Sequence, residues 1–142
     1  MFVGNRVHAI DEKGRVTLPA SMRDELGDRA FVTKYGGCLA LWPAEKFNEV
    51  GHVMEQRRKD GEISEKVLRT FFSSAEAVKV DKAGRMSIPE TLRTYAGLEA
   101  SGDAVLAGQF SRIEIWSLEG YAESVGTDGE EELAAELAAR GI

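Results

Sequence analysis

The chain has 142 residues, 43% hydrophobic and 30% charged, the balance of a soluble globular protein. No apolar run approaches the ~18 residues of a membrane span, and Met1 to Arg6 contains no signal-peptide core, so neither a membrane nor a secreted protein is expected. The net charge of −6 argues against a nucleic-acid partner only until its distribution is read: residues 119–142 carry seven acidic side chains and one arginine, whereas residues 1–118 hold seventeen charges of each sign. One cysteine, Cys38, makes no disulfide framework, and with His8 and His52 it makes no convincing metal set, so no metal or cofactor is expected.

In chain order, residues 6–10 are β-permissive and residues 15–18 alternate around apolar Val16 and Leu18. Asp11-Glu12-Lys13-Gly14 between them predicts a tight hairpin turn: the aspartate bonds backbone two residues on, and the glycine takes a positive φ. Pro19 suits the head of a short helix that runs to Leu26, and Gly27 supplies its stop. Strands are expected around 31–34 and 39–42, turned at Gly36-Gly37. Pro43 to Arg58 predicts a helix with Phe47, Val50 and Met54 on one face; after Asp60-Gly61, Ile63, Val67 and Phe71 predict a second. At the far end, Asp128 to Glu131 has capping-box spacing, and the Ala-rich run to Ala139 favours a loosely docked terminal helix.

The middle of the chain repeats its beginning. Asp11, Gly14, Arg15, Pro19, Arg23 and Gly27 return seventy residues later as Asp81, Gly84, Arg85, Pro89, Arg93 and Gly97. Val16, Thr17 and Leu18 return as Met86, Ser87 and Ile88. Farther on, residues 39–42 match 113–116 at an offset of seventy-four, so the second copy carries four extra residues, most simply between Gly97 and Asp103. Each copy spans about 45 residues, too few to bury a core alone. The expected organisation is therefore a first repeat at 5–47, a helical linker at 48–75, a second repeat at 76–119 and an acidic tail at 120–142, with the repeats sharing one core.

The functional reading starts from Arg15 and Arg85, delivered by matching turns. A guanidinium pairs bidentately with guanine or phosphate, and Lys13 and Lys82 add a point charge each. Asp11, Gly14, Asp81 and Gly84 shape the loops. Two readings of the arginines stand side by side: recognition of a repetitive, charged ligand, or an ion pair back to Asp11 and Asp81 that braces the turn. Trp42 and Trp116 read as core and His8 as an ordinary strand residue, while Arg57-Arg58-Lys59 reads as a solvated helix end. No phosphate-binding G-x-x-x-x-G-K-[ST] loop, G-x-S-x-G elbow, Gly-Ser dipeptide for self-cleavage or Cys/His cluster is present, so an enzyme is not expected. A scaffold binding an acidic partner through the same loops is the remaining alternative.

The pattern Asp-x-x-Gly-Arg-x-x-x-Pro-x-x-x-Arg at 11–23 and 81–93 resembles the AbrB-like (SpoVT-AbrB) DNA-binding family, over roughly residues 1–125. The resemblance implies an α+β, mainly β fold: a swapped-hairpin, double-psi-type β-barrel formed by the two repeats, with the helical insert between them and a C-terminal helix. It also implies a cytoplasmic, nucleoid-associated transcriptional regulator with no small-molecule substrate. Such a protein assembles as a ring-like homo-oligomer on tandem promoter repeats of double-stranded DNA, upstream of a division and cell-wall gene cluster that includes its own gene. The Asp-x-x-x-Arg motif carries over to Asp11 with Arg15 and to Asp81 with Arg85. The basic residue sits one position earlier in the second loop than in the first.

Overall fold

The computed structural model describes residues 1–142. The first half runs β1 (Asn5–Ala9), β2 (Arg15–Thr17), α1 (Ala20–Leu26), β3 (Arg29–Tyr35), β4 (Cys38–Pro43), α2 (Ala44–Lys59) and α3 (Glu65–Phe72). The second runs β5 (Glu76–Lys79), β6 (Arg85–Ser87), α4 (Glu90–Ala96), β7 (Asp103–Gly108), β8 (Ile113–Trp116), α5 (Leu118–Val125) and α6 (Gly129–Ala139). The class is α+β, organised mainly on antiparallel β-structure. Pro19 and Pro89 stand at the heads of α1 and α4, where a missing N–H costs nothing. The connection from α4 to β7 is four residues longer than that from α1 to β3, where the duplication places the insertion.

The turn at 11–14 forms as expected: Asp11 N–H donates to the Arg15 carbonyl at 2.8 Å, and Gly14 N–H to the Asp11 carbonyl at 3.0 Å. The hairpin around it does not close. Only a bridge between Ile10 and Val16 joins its arms, and beyond it each arm pairs with the other half of the chain. β1 runs antiparallel to β7, β5 to β3, and the three-residue β2 to β6. The physical reason is core size. Pairing across the halves puts the apolar side chains of both copies into one cluster of twenty buried residues, which one copy could not supply.

The pairing is self-symmetric. Val16 opposes Met86 at the centre of the β2–β6 ribbon, and Ala40 opposes Glu114 at the centre of the β4–β8 pair. These are matched positions of the two copies, so a pseudo-two-fold axis passes through both pairs. Leu18 N–H donates to the Gly84 carbonyl at 2.9 Å and Ile88 N–H to the Gly14 carbonyl at 3.0 Å, tying each ribbon strand to the other half's turn.

The main sheet has the order β1-β7-β8-β4-β3-β5 and is open, with β1 and β5 as its edges. The barrel closure implied by the family resemblance is not found. The ribbon strands satisfy each other as a separate two-stranded sheet and provide no ladder joining the two edges. One face of the main sheet points Leu39, Leu41, Ile113 and Ile115 into the core, beneath Leu92 and Ala96 of α4. Burying an aliphatic side chain of this size contributes about 1.5–3 kcal/mol.

The opposite face carries the insert. Phe47 of α2 stacks on Phe31 of β3 with ring centroids 4.3 Å apart, and Phe71 and Phe72 of α3 close over it at 6.3 and 5.9 Å. The α3 stripe is shifted from expectation: Val67 is exposed, and Leu68 turns inward with Phe71 and Phe72. The two aromatic rings of α3, Phe71 and Phe72, outweigh one β-branched residue in choosing its buried face. Trp42 is buried, as expected, and donates from Nε1 to the Thr33 hydroxyl at 3.0 Å. The capping box expected at Asp128 does not form, since that side chain makes no cap hydrogen bond.

Candidate functional site

Strand alternation builds the site. In the β2–β6 ribbon the central residues Val16 and Met86 are fully buried, so their neighbours point the other way. That outer face presents Arg15 opposite Ser87 and Thr17 opposite Arg85. The two arginines are thus diagonal neighbours on one surface, with Cα atoms roughly 7–8 Å apart by sheet geometry. The antiparallel ribbon sends the turns at 11–14 and 81–84 to its opposite ends.

Each arginine is held by its own turn. Asp11 Oδ1 accepts the backbone N–H groups of Lys13 at 2.9 Å and Arg15 at 2.8 Å, and Oδ2 accepts Arg15 Nε at 2.7 Å. Asp81 repeats the set with Ala83 N–H, Arg85 N–H and Arg85 Nε, all at 2.9 Å. These bonds, led by the backbone N–H of Arg15 and Arg85, hold both carboxyls below the ordinary carboxylate value near 3.8. The bracing ion pair is therefore present. It engages Nε alone; the Nη groups make no hydrogen bond within the chain, and the side chains of Arg15 and Arg85 remain 27% and 40% exposed. The pair aims the guanidinium without consuming its outer edge.

Lys13 and Lys82 lie exposed on the turns themselves. Gly14 and Gly84 adopt φ of +79° and +81°, and each also lies under an arginine from the other half. A Cβ on Gly14 would come within 2.8 Å of the Arg93 guanidinium, and a Cβ on Gly84 would collide with Arg23. Sequence reasoning matched Arg23 with Arg93 but assigned them no role. The available signal was the repeated nine-residue spacing from glycine to arginine. Lys79 was also missed: it joins Arg15, Asp81, Arg85 and Ser87 around a shallow depression of about 400 Å³. No group of His, Cys, Asp and Glu is arranged to hold a metal ion, and no helix is long and apolar enough to cross a membrane.

Fold and site together define a class: an internally duplicated α+β protein whose halves interlock to present paired arginine turns on one ribbon face. Comparison with known families makes this specific. The chain belongs to the MraZ family, whose model, described as "MraZ protein, putative antitoxin-like", matches residues 1–61 and 71–140. Among its relatives, a protein named Transcriptional regulator MraZ from Clostridium beijerinckii is 40% identical over 128 residues, covering 87% of this chain and 86% of that one. The protein of the same name from Lachnoclostridium phytofermentans is 38% identical, covering 100% and 99%. That from Frankia alni is 37% identical, covering 96% and 94%.

Proposed function

We propose that this protein is a sequence-specific, DNA-binding transcriptional regulator that reads double-stranded promoter DNA through Arg15 and Arg85. The observation that carries the reading is the ribbon: one face buried through Val16 and Met86, the other offering two guanidinium groups and two hydroxyls. A two-stranded ribbon fits the major groove, where guanidinium groups recognise guanine edges. Lys13 and Lys82, at the two ends, supply phosphate contacts that position without specifying. Asp11, Gly14, Asp81 and Gly84 shape the turns. The half-units at 5–47 and 76–119 act as one reading body, with 48–75 as linker and 120–142 as an acidic tail. The names of the relatives support the regulatory role.

One ribbon makes few contacts, so a single subunit binds weakly. A homo-oligomeric ring engaging tandem promoter repeats turns later contacts into intramolecular ones and gains ~10²–10⁴ in apparent affinity. The reading places the protein in the cytoplasm at the nucleoid, acting upstream of the division and cell-wall genes and of its own gene. It assigns no catalytic step, small-molecule substrate or cofactor.

The test is a band-shift titration on the DNA upstream of its own gene and on a scrambled duplex at matched salt. Arg15→Ala and Arg85→Ala are each expected to weaken specific binding by about tenfold to a hundredfold while circular dichroism stays native. Undiminished binding by the double variant would remove the proposed site, and equal affinity for scrambled DNA would reduce the interaction to charge attraction.

A further inference from the structure

The face of the main sheet turned away from the core holds an unassigned cavity. Over β7 and β8, beside α5, lies a cleft of about 600 Å³, within the size range of small-molecule sites. Alternation along β3 and β8 sends Tyr35, Glu114 and Trp116 to this face, because Val32, Ile113 and Ile115 point into the core. Helix α5 closes the other wall with Tyr121 and Val125. Asn5, exposed at the rim, opens β1, and Asp11 follows its far end. The cleft therefore sits roughly 20 Å along the strand from the arginine turns.

Its wall is aromatic and carries one charge. Tyr35, Trp116 and Tyr121 contribute rings, and Glu114 is the only ionised residue that lines it. Glu114 is 6% exposed. Its Oε2 accepts Arg112 Nε at 3.1 Å and Nη2 at 2.7 Å, and its Oε1 accepts Trp116 Nε1 at 3.0 Å. A carboxylate offers about four acceptor positions, so one on Oε1 stays open. The duplication sharpens the point. The matched residue of the first half, which pairs with Glu114 directly across the sheet, is Ala40. The sheet thus needs no charge at this position, and a buried ion pair contributes little stability once desolvation is counted.

The chain already holds one cation by this chemistry. The Arg112 guanidinium lies 4.3 Å from the Tyr35 ring centroid and 5.7 Å from that of Trp42 while bonded to Glu114. Aromatic faces beside a carboxylate select cations. No cationic side chain lines the cleft to receive an anion. We propose that the cleft binds a small organic ammonium ion, its N–H donating to Glu114 Oε1 and its apolar body packed against Trp116, Tyr121 and Val125. This goes beyond the DNA reading and does not depend on it.

Isothermal titration of the full-length protein with phenethylammonium, beside neutral phenethyl alcohol and anionic hydrocinnamate of like size, tests this. The ammonium is expected to bind at least about tenfold more tightly than the alcohol, and the carboxylate not to bind. With fluorotryptophan incorporated, the fluorine NMR signal of Trp116 is expected to shift more than that of Trp42, whose indole bonds Thr33 instead. Glu114→Gln is expected to abolish the preference for the ammonium. Because that change also strips Arg112 of its partner, Asn5→Lys serves as the independent variant. It alters an exposed edge residue, where lysine is well tolerated, so circular dichroism is expected to stay native. A cation at the rim is expected to weaken ammonium binding about tenfold. Equal affinity for ammonium and alcohol, undiminished binding by Asn5→Lys, or no saturable binding at all would each overturn the proposal. A response confined to Trp42 would overturn it too, by placing the ligand elsewhere.

Discussion

At the residue scale the two aspartates matter more than their exposure suggests. Asp11 and Asp81 each gather two backbone N–H groups and an arginine Nε, and those bonds lower both carboxyl pKa values. A depressed folded-state value means that the contribution to stability is present above the ordinary value near 3.8 and is lost as pH falls through the lower folded value. Carboxyl chemical shifts followed by NMR are expected to place both midpoints below 3.8, and Asp11→Asn to loosen the turn at neutral pH. Cys38 offers the opposite case. Burial, with Glu114 second, pushes its thiol up to about 12, so the native protein is expected to resist alkylation at pH 8 and to react once unfolded.

At the element scale the turns and the helical insert carry the testable claims. Gly14 combines a φ of +79° with the Arg93 guanidinium overhead. Gly14→Ala therefore meets a backbone cost of about 1 kcal/mol and a displaced arginine, and its melting temperature is expected to fall by several degrees. The insert hangs on Phe47, which stacks on Phe31 and receives Phe71 and Phe72. Phe47→Ala is expected to cost about 2 kcal/mol and to speed proteolysis within α2 and α3 ahead of the sheet.

At the scale of the whole molecule, the crossing strands make each half depend on the other. Apart from the single Ile10–Val16 bridge, the ladders of β1 and β2 are formed only with the second half, and those of β5 and β6 only with the first. A fragment of residues 1–72 is accordingly expected to be unfolded by circular dichroism, and to gain structure when mixed with residues 73–142. A fragment that folded cooperatively alone would contradict the shared core. The same interlock sets the Arg15–Arg85 separation, because the two side chains belong to one ribbon. Residual movement between independent halves would blur that distance; a common core removes it.

Much of this was legible in the chain itself. Asp11, Gly14 and Pro19 specify a turn and a helix head through their own backbone chemistry, and their return at Asp81, Gly84 and Pro89 announces the duplication. The apolar alternation around Val16 and Met86 marks which side chains are buried. Which strands pair was not legible. A turn's residues dictate its local bend, whereas ladder partners are chosen by how much apolar surface the whole chain buries, and that choice opened the expected hairpin. The same limit hid Arg23, Arg93 and Lys79, whose places near the turns arise only when distant segments pack. Local chemistry determined the arginine turns; the tertiary fold alone brought them onto one face, because non-local burial decides what local propensity leaves open.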